Sequence, residues 1–262
     1  MADTQLAEAG TRPGFRATLA RMSTAQKPGR GAPPYSRWIN RRMGRVIAAA
    51  AYTVGGTPNQ VTAVSATLTA CGIALIAFVD PSWWLGLVIA AFLVLGYAFD
   101  AADGQLARLR GGGSRSGEWL DHMVDVTKTC LLHIAVLVSF FRFGGIPSQT
   151  LLLVPLGYLT VSIVLFFGLM LVDQLRRSAA AQLPAESAPA SGGSGLLQTL
   201  VALPTDYGIV CLAFALFGWR EAFVVAYTAL FAAHTLVLLA VLVKWWRELR
   251  ALDARVAAAR EG

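Results

Sequence analysis

Four aspartates carry the chemistry legible in this sequence. They lie in Tyr97-Ala-Phe-Asp100-Ala-Ala-Asp103-Gly104-Gln-Leu-Ala107-Arg108 and in Ser116-Gly117-Glu118-Trp-Leu-Asp121-His-Met-Val-Asp125. Asp100 and Asp103 are three residues apart and Asp121 and Asp125 four apart, so on helices each pair shares one face. Carboxylates that converge repel one another and take up protons unless divalent cations neutralise them, which favours a hard-cation site for Mg2+ or Mn2+. Two such ions side by side are the usual device for displacement at phosphorus. No neighbouring His/Cys set suggests zinc. His122 is placed on a helix face away from Asp121, and His133 and His234 read as satisfied interior histidines. Cys71, Cys130 and Cys211 lie in apolar runs without metal-ligand spacing and read as buried small hydrophobes.

The surroundings explain why these carboxylates need cations. The chain has 262 residues, 56% hydrophobic and 14% charged, with a mean hydropathy of +0.57, which is a membrane composition. An Asp near the centre of a membrane helix costs roughly 2.5–3.5 kcal/mol on insertion scales, so a wet cavity or bound cations must compensate. Six apolar runs are long enough to span: about Val61–Val79, Trp83–Phe99, Trp119–Phe141, Leu151–Val172, Leu196–Trp219 and Ala222–Val243. The fifth is interrupted by Pro204-Thr205-Asp206-Tyr207-Gly208 and is expected to be kinked or partly interfacial, with Asp206 as a possible cap. The fold class is therefore all-α and polytopic, six transmembrane helices preceded by an amphipathic interfacial helix. That helix is Tyr35 to about Tyr52, where Arg37, Arg41, Arg42 and Arg45 alternate with Trp38, Ile39, Met43, Val46 and Ile47.

Three regions follow: 1–34, a disordered cytoplasmic extension; 35–246, the membrane domain; and 247–262, a cytoplasmic tail. Ala179–Gly195, mainly Ala, Ser, Pro and Gly, reads as a flexible loop. The net charge of +7 sits in short Lys/Arg clusters between apolar runs rather than along one polar face, which argues against nucleic acid. Arg108 to Arg115, Arg176-Arg177 and Lys244 to Arg260 fall on one side of the bilayer, with Arg142 and Arg220 opposite. By the positive-inside rule both termini and the aspartates then face the cytoplasm, in the cell membrane.

The residues D-x2-D-G-x2-A-R-x8-G-x3-D-x3-D, filled by Asp100, Asp103, Gly104, Ala107, Arg108, Gly117, Asp121 and Asp125, match the signature of the CDP-alcohol phosphatidyltransferases. The sequence resembles that family from Tyr35 onward, including Thr57-Pro58-Asn59-Gln60-Val61-Thr62 at the entry of the first span. The resemblance implies transfer of a phosphatidyl group from CDP-diacylglycerol, or of a substituted phosphate from another CDP-alcohol, to a polar alcohol, with release of CMP. It implies that Asp100, Asp103, Asp121 and Asp125 hold two ions and that Asp125 is also the general base. Asn59, Thr62, Gly104, Ala107, Arg108, Ser114 and Gly117 would line the donor site, and a homodimer is expected.

Each assignment has a plainer competitor. Asn59 and Thr62 suit a helix start, and Arg108 suits a basic loop. Gly111 to Gly113 lack the strand and the Lys-Ser/Thr of a phosphate-binding loop and read as a turn. Lys128, one turn past Asp125, is expected in the polar cavity, either binding an anionic acceptor or balancing the aspartates. Arg176 is a further candidate for the acceptor pocket, with helix-end snorkelling as the alternative. The acceptor stays open among inositol phosphate, glycerol 3-phosphate, serine and other polyols, and the charge of Asp206 argues against a doubly anionic one. A divalent-cation transporter is the reading from another class. The clustering of the aspartates at one membrane edge, without an inverted repeat, argues against it.

Overall fold

The computed structural model describes residues 13–24, 33–144, 146, 148–183 and 205–261. Among these there is no strand. Helix α1 is Phe15–Thr24, and α2, Arg41–Thr53, follows directly on a π-helical turn, Ser36–Asn40. Five helices are long and apolar enough to cross a membrane: α3 Pro58–Phe78, α4 Trp83–Leu109, α5 Arg115–Phe143, α6 Leu153–Ala180 and α8 Arg220–Glu261. Helix α7, Tyr207–Ala213, continues as a 3-10 turn over Phe214–Leu216.

The expected fifth span corresponds to α7 only in part. Its first residues, 196–204, lie outside the described residues, and the ten residues Tyr207–Leu216 rise about 15 Å, half the hydrocarbon thickness. Asp206 caps α7 by accepting from the Gly208 N–H at 3.1 Å. The other spans are longer than their apolar runs because the helices continue past the hydrocarbon. Helix α8, with 42 residues, reaches about 63 Å, so the segment expected as a separate tail is the end of a helix. Within the stretch expected to be disordered, Phe15–Thr24 is instead a helix whose Thr18 and Met22 are buried. Its burial against the apolar face of α2, beside Ala48, Ala49 and Tyr52, supplies an ordering force that composition does not reveal. Residues 1–12, 25–32 and 184–204, with most of the expected Ala179–Gly195 loop, lie outside the description.

Helix α3 is the keystone. It starts with a capping box, in which Thr57 Oγ1 accepts from the Gln60 N–H and Gln60 Oε1 accepts from the Thr57 N–H. Small residues let it approach α4 closely, since a side chain on Gly96 would strike Thr69 and one on Gly72 would press on Phe92 and Leu93. Ser65 Oγ donates to the Gly96 carbonyl at 2.8 Å across that contact. Helices α4 and α5 each pack along α3 rather than along one another. Gly111 and Gly112 have φ of +95° and +128°, and they reverse the chain between α4 and α5. The two aspartate-bearing helices are thus neighbours separated by a gap.

Candidate active site

The aspartates face that gap. Asp103, 5% exposed, accepts from Thr62 Oγ1 at 2.6 Å and from the Gly104 N–H at 2.5 Å. Thr62 is therefore fixed on a carboxylate, and Thr57, not Asn59, caps α3. Across the gap, the Lys128 ammonium lies 2.5 Å from Asp100 Oδ1 and 2.8 Å from Asp125 Oδ1. Lys128 thus forms ion pairs with two of the aspartates. Ligand atoms of Asp121, His122 and Asp125 lie within 4.8 Å of one another, so His122 is closer to the carboxylates than its helix position suggested. Its ring also meets Phe166 edge-on.

The donor set suits hard divalent ions. It is dominated by half-buried carboxylate oxygens, and a positive group already bridges Asp100 and Asp125 where a cation would be attracted. Arg108 supplies the opposite sign. Its Nε is buried without a hydrogen-bond partner, and its guanidinium lies over Gly104, where an added Cβ would be 3.4 Å from Nη1. An unsatisfied buried guanidinium donor fits an anionic ligand. Ala107 sits one turn along at the end of α4, with its carbonyl accepting from the Arg110 and Gly112 N–H groups.

The remaining expected donor contacts also converge. Ser114 caps α5 by accepting from the Gly117 N–H at 3.0 Å. A Cβ on Gly117 would lie 3.1 Å from Ser114 Oγ and 3.5 Å from Asn59 Oδ1. The entries of α3 and α5 therefore bring Asn59, Ser114 and Gly117 together. Arg176 does not line the cavity beside the aspartates, and it pairs with Glu248 of α8 at 2.8 Å. His133 bonds Tyr227 at 2.6 Å and Ser162 at 3.1 Å, and His234 bonds Tyr158 at 3.0 Å, as expected of satisfied interior histidines.

The sequence reading missed one wall of the site. A cavity of about 290 Å³ is lined by Asp100, Asp103 and Asp121 on one side and by Ser36, Asn40 and Arg41 on the other. Asn40 Nδ2 donates to the Tyr97 carbonyl at 3.1 Å, and Gln105 Nε2 donates to the Arg41 carbonyl at 3.1 Å. Gly44 makes this docking possible, because a Cβ there would crowd Gln105 and Ala101. The signal was the spacing of Asn40, Gly44 and Ala48, a small-residue face on a helix read for its arginines. Asp206 closes the wall by accepting from the Ser36 N–H at 2.9 Å.

Similarity to known proteins bears on this geometry. The phosphatidylinositol phosphate synthase of Mycolicibacterium smegmatis is 36% identical over 84 residues, 32% of this chain and 36% of that protein. That of Corynebacterium glutamicum is 45% identical over 70 residues, 26% of this chain and 30% of that protein. The matched segments thus span about a third of these curated relatives. The fold is shared with the Mycobacterium tuberculosis phosphatidylinositol phosphate synthase solved in complex with manganese and citrate. It has a TM-score of 0.50 and 23% identity, covering 76% of this chain and 87% of that one. The family model of the CDP-alcohol phosphatidyltransferases takes in residues 56–261, from the approach to α3 to the end of α8, and the chain belongs to that family.

Proposed function

We propose that this protein moves a phosphatidyl group from CDP-diacylglycerol to the hydroxyl of a polyol and releases CMP, as a two-metal enzyme. The observation that carries this reading is the convergence of Asp100, Asp103, Asp121 and Asp125 across the α4–α5 gap, with a positive group already bridging two of them. The relatives' name supports a phosphatidyl donor and an inositol-type acceptor. Asp206 accepts from the Ser36 and Gly208 N–H groups and does not line the cavity beside the aspartates, so its charge does not count against an anionic acceptor. A groove of about 290 Å³ lined by Ala66, Ala70, Ile73, Met123 and Leu131 leads to Lys128 and suits an acyl chain of a lipid donor.

The four aspartates would hold two Mg2+ or Mn2+ ions, consistent with the manganese in the tuberculosis relative. Bound ions would neutralise the diphosphate and the charge developing on departing CMP. Thr62 orients Asp103, and Arg108, Asn59 and Ser114 are positioned for the donor phosphates, with Gly104 and Gly117 leaving room for the nucleotide. Asp125 accepts the proton of the acceptor hydroxyl as its oxygen bonds to phosphorus and the phosphorus–oxygen bond to CMP breaks.

The Lys/Arg asymmetry supports a cytoplasm-facing site in the cell membrane, with both termini on that side. Membership of the family supports a homodimer. The test is CMP release by the protein in detergent with CDP-diacylglycerol and Mn2+, one alcohol at a time, beside Asp121→Ala. Release with one alcohol and none from the variant is the expected result. Silence with every alcohol would defeat the reading.

A further inference from the structure

The outer face of the interfacial helix carries charge that nothing among the described residues neutralises. Between Glu8 and Asp80 the sequence holds nine Lys and Arg residues and no acidic residue. Arg37 and Arg42 are exposed and form no ion pair among the described residues. Asp206, the carboxylate that meets this helix, is engaged by the Ser36 and Gly208 N–H groups. In an ordinary α-helix, positions five apart are separated by about 140° around the axis. The chain departs from that over Ser36–Asn40, a π-helical turn closed from the Arg41 N–H to the Ser36 carbonyl. A turn of this pitch brings residues five apart toward one face, so Arg37 and Arg42 stand on the same side of the helix.

Two guanidinium groups on one side repel unless an anion lies between them, and the planar forks of arginine suit phosphate oxygens. The surroundings select which phosphate. Trp38, Ile39 and Val46 are 55%, 47% and 50% exposed, and Trp38 and Val46 lie about one turn to either side of Arg42. Large apolar side chains this open to water call for lipid. Residues 54–57 alone separate α2 from the first span, which sets α2 at the depth where headgroups begin, the boundary that Trp favours. The uncompensated positive charge of this stretch repels the ammonium of a zwitterionic headgroup and selects a net negative one. We propose that the outer face of the π-turn and α2 is a binding site for an anionic phospholipid, its phosphate held between Arg37 and Arg42 while Trp38, Ile39 and Val46 enter the acyl boundary. A nucleic acid or an acidic protein would leave those apolar side chains in water. The proposal stands apart from the transferase reading.

The test is native mass spectrometry of the full chain in detergent, titrated with phosphatidylglycerol and separately with phosphatidylcholine. Arg37→Gln and Arg42→Gln should each weaken phosphatidylglycerol binding about fivefold, the scale of one basic group at an anionic surface. The wild-type preference for phosphatidylglycerol should therefore be about 25-fold, and it should vanish when both arginines are replaced. Arg16→Gln, at an exposed arginine of α1, should change binding by less than about twofold. Equal binding of the two lipids by the wild-type protein overturns the proposal without recourse to any variant. So does a preference that survives the double substitution, which would place the lipid elsewhere. An equal loss from Arg16→Gln would make the attraction diffuse charge rather than a site, and displacement of the lipid by inorganic phosphate would make the occupant a free anion; either overturns it. The substituted side chains are exposed, and unchanged thermal unfolding shows that the variants keep their fold. CMP release is not read, so failure of the transferase reading leaves this test intact.

Discussion

Lys128→Met should tighten divalent-ion binding while weakening the metal-free protein. The ammonium is shared by Asp100 Oδ1 at 2.5 Å and Asp125 Oδ1 at 2.8 Å, among side chains that are 12%, 18% and 29% exposed. Removing one partner of a fully buried pair costs about 3–5 kcal/mol. Partial exposure reduces that to about 1.5–3 kcal/mol for this trio. The same interaction must be surrendered or weakened when a divalent ion takes those oxygens, so the variant recovers up to that amount in metal affinity. At 1.4 kcal/mol per decade, Mn2+ should bind about ten- to a hundredfold more tightly. Calorimetric titration of Mn2+ in detergent reads the affinity, and thermal unfolding without metal reads the lost stability. Unchanged or weaker Mn2+ binding by the variant would refute the idea that Lys128 is the internal counter-ion of the site.

Asp125→Asn should reduce CMP release by about 10²–10⁴-fold, the range of a lost general base, while CDP-diacylglycerol still protects the protein in thermal unfolding. Asp206→Ala removes both the cap of α7 and the anchor of Ser36. It should cost about 1–2 kcal/mol and speed amide exchange at Ser36, measured by mass spectrometry. Arg176→Ala breaks only an exposed pair with Glu248. Stability should change by less than about 1 kcal/mol and turnover by less than about twofold, whereas a large rise in acceptor KM would restore Arg176 to the acceptor pocket.

What could be read from the sequence was what local spacing encodes. The aspartate pairs, Gly104, Arg108 and Gly117 announce themselves because a carboxylate in an apolar run has few structural excuses. The turn at Gly111–Gly112 and the cap at Asp206 are local backbone chemistry and were equally legible. Asn40 was not, because its role depends on which face of the interfacial helix meets α4. Four arginines drew the reading toward the headgroup plane, while Gly44 set the contact. The pairing of Arg176 was illegible for another reason, since a helix-end arginine is positioned by its partner, and Glu248 lies 72 residues away. The helix at Phe15–Thr24 escaped notice because its order comes from docking, and a ten-residue segment has little intrinsic helicity.

The placement of α3 between the two aspartate helices has a mechanical consequence for the chemistry. Were α4 and α5 packed directly on each other, as sequence neighbours often are, Asp100 and Asp125 would be crowded together with no room for ions or diphosphate. With each helix instead gripping α3, through Gly96 and Gly72 on one side, the gap is held open at a width set by packed side chains rather than by repulsion between carboxylates. Thr62 on α3 reaches across to hold Asp103 directly. The helix that spaces the site therefore also orients one of its carboxylates. Asp100 and Asp125 are neutralised by Lys128 within helix packing that α3 sets.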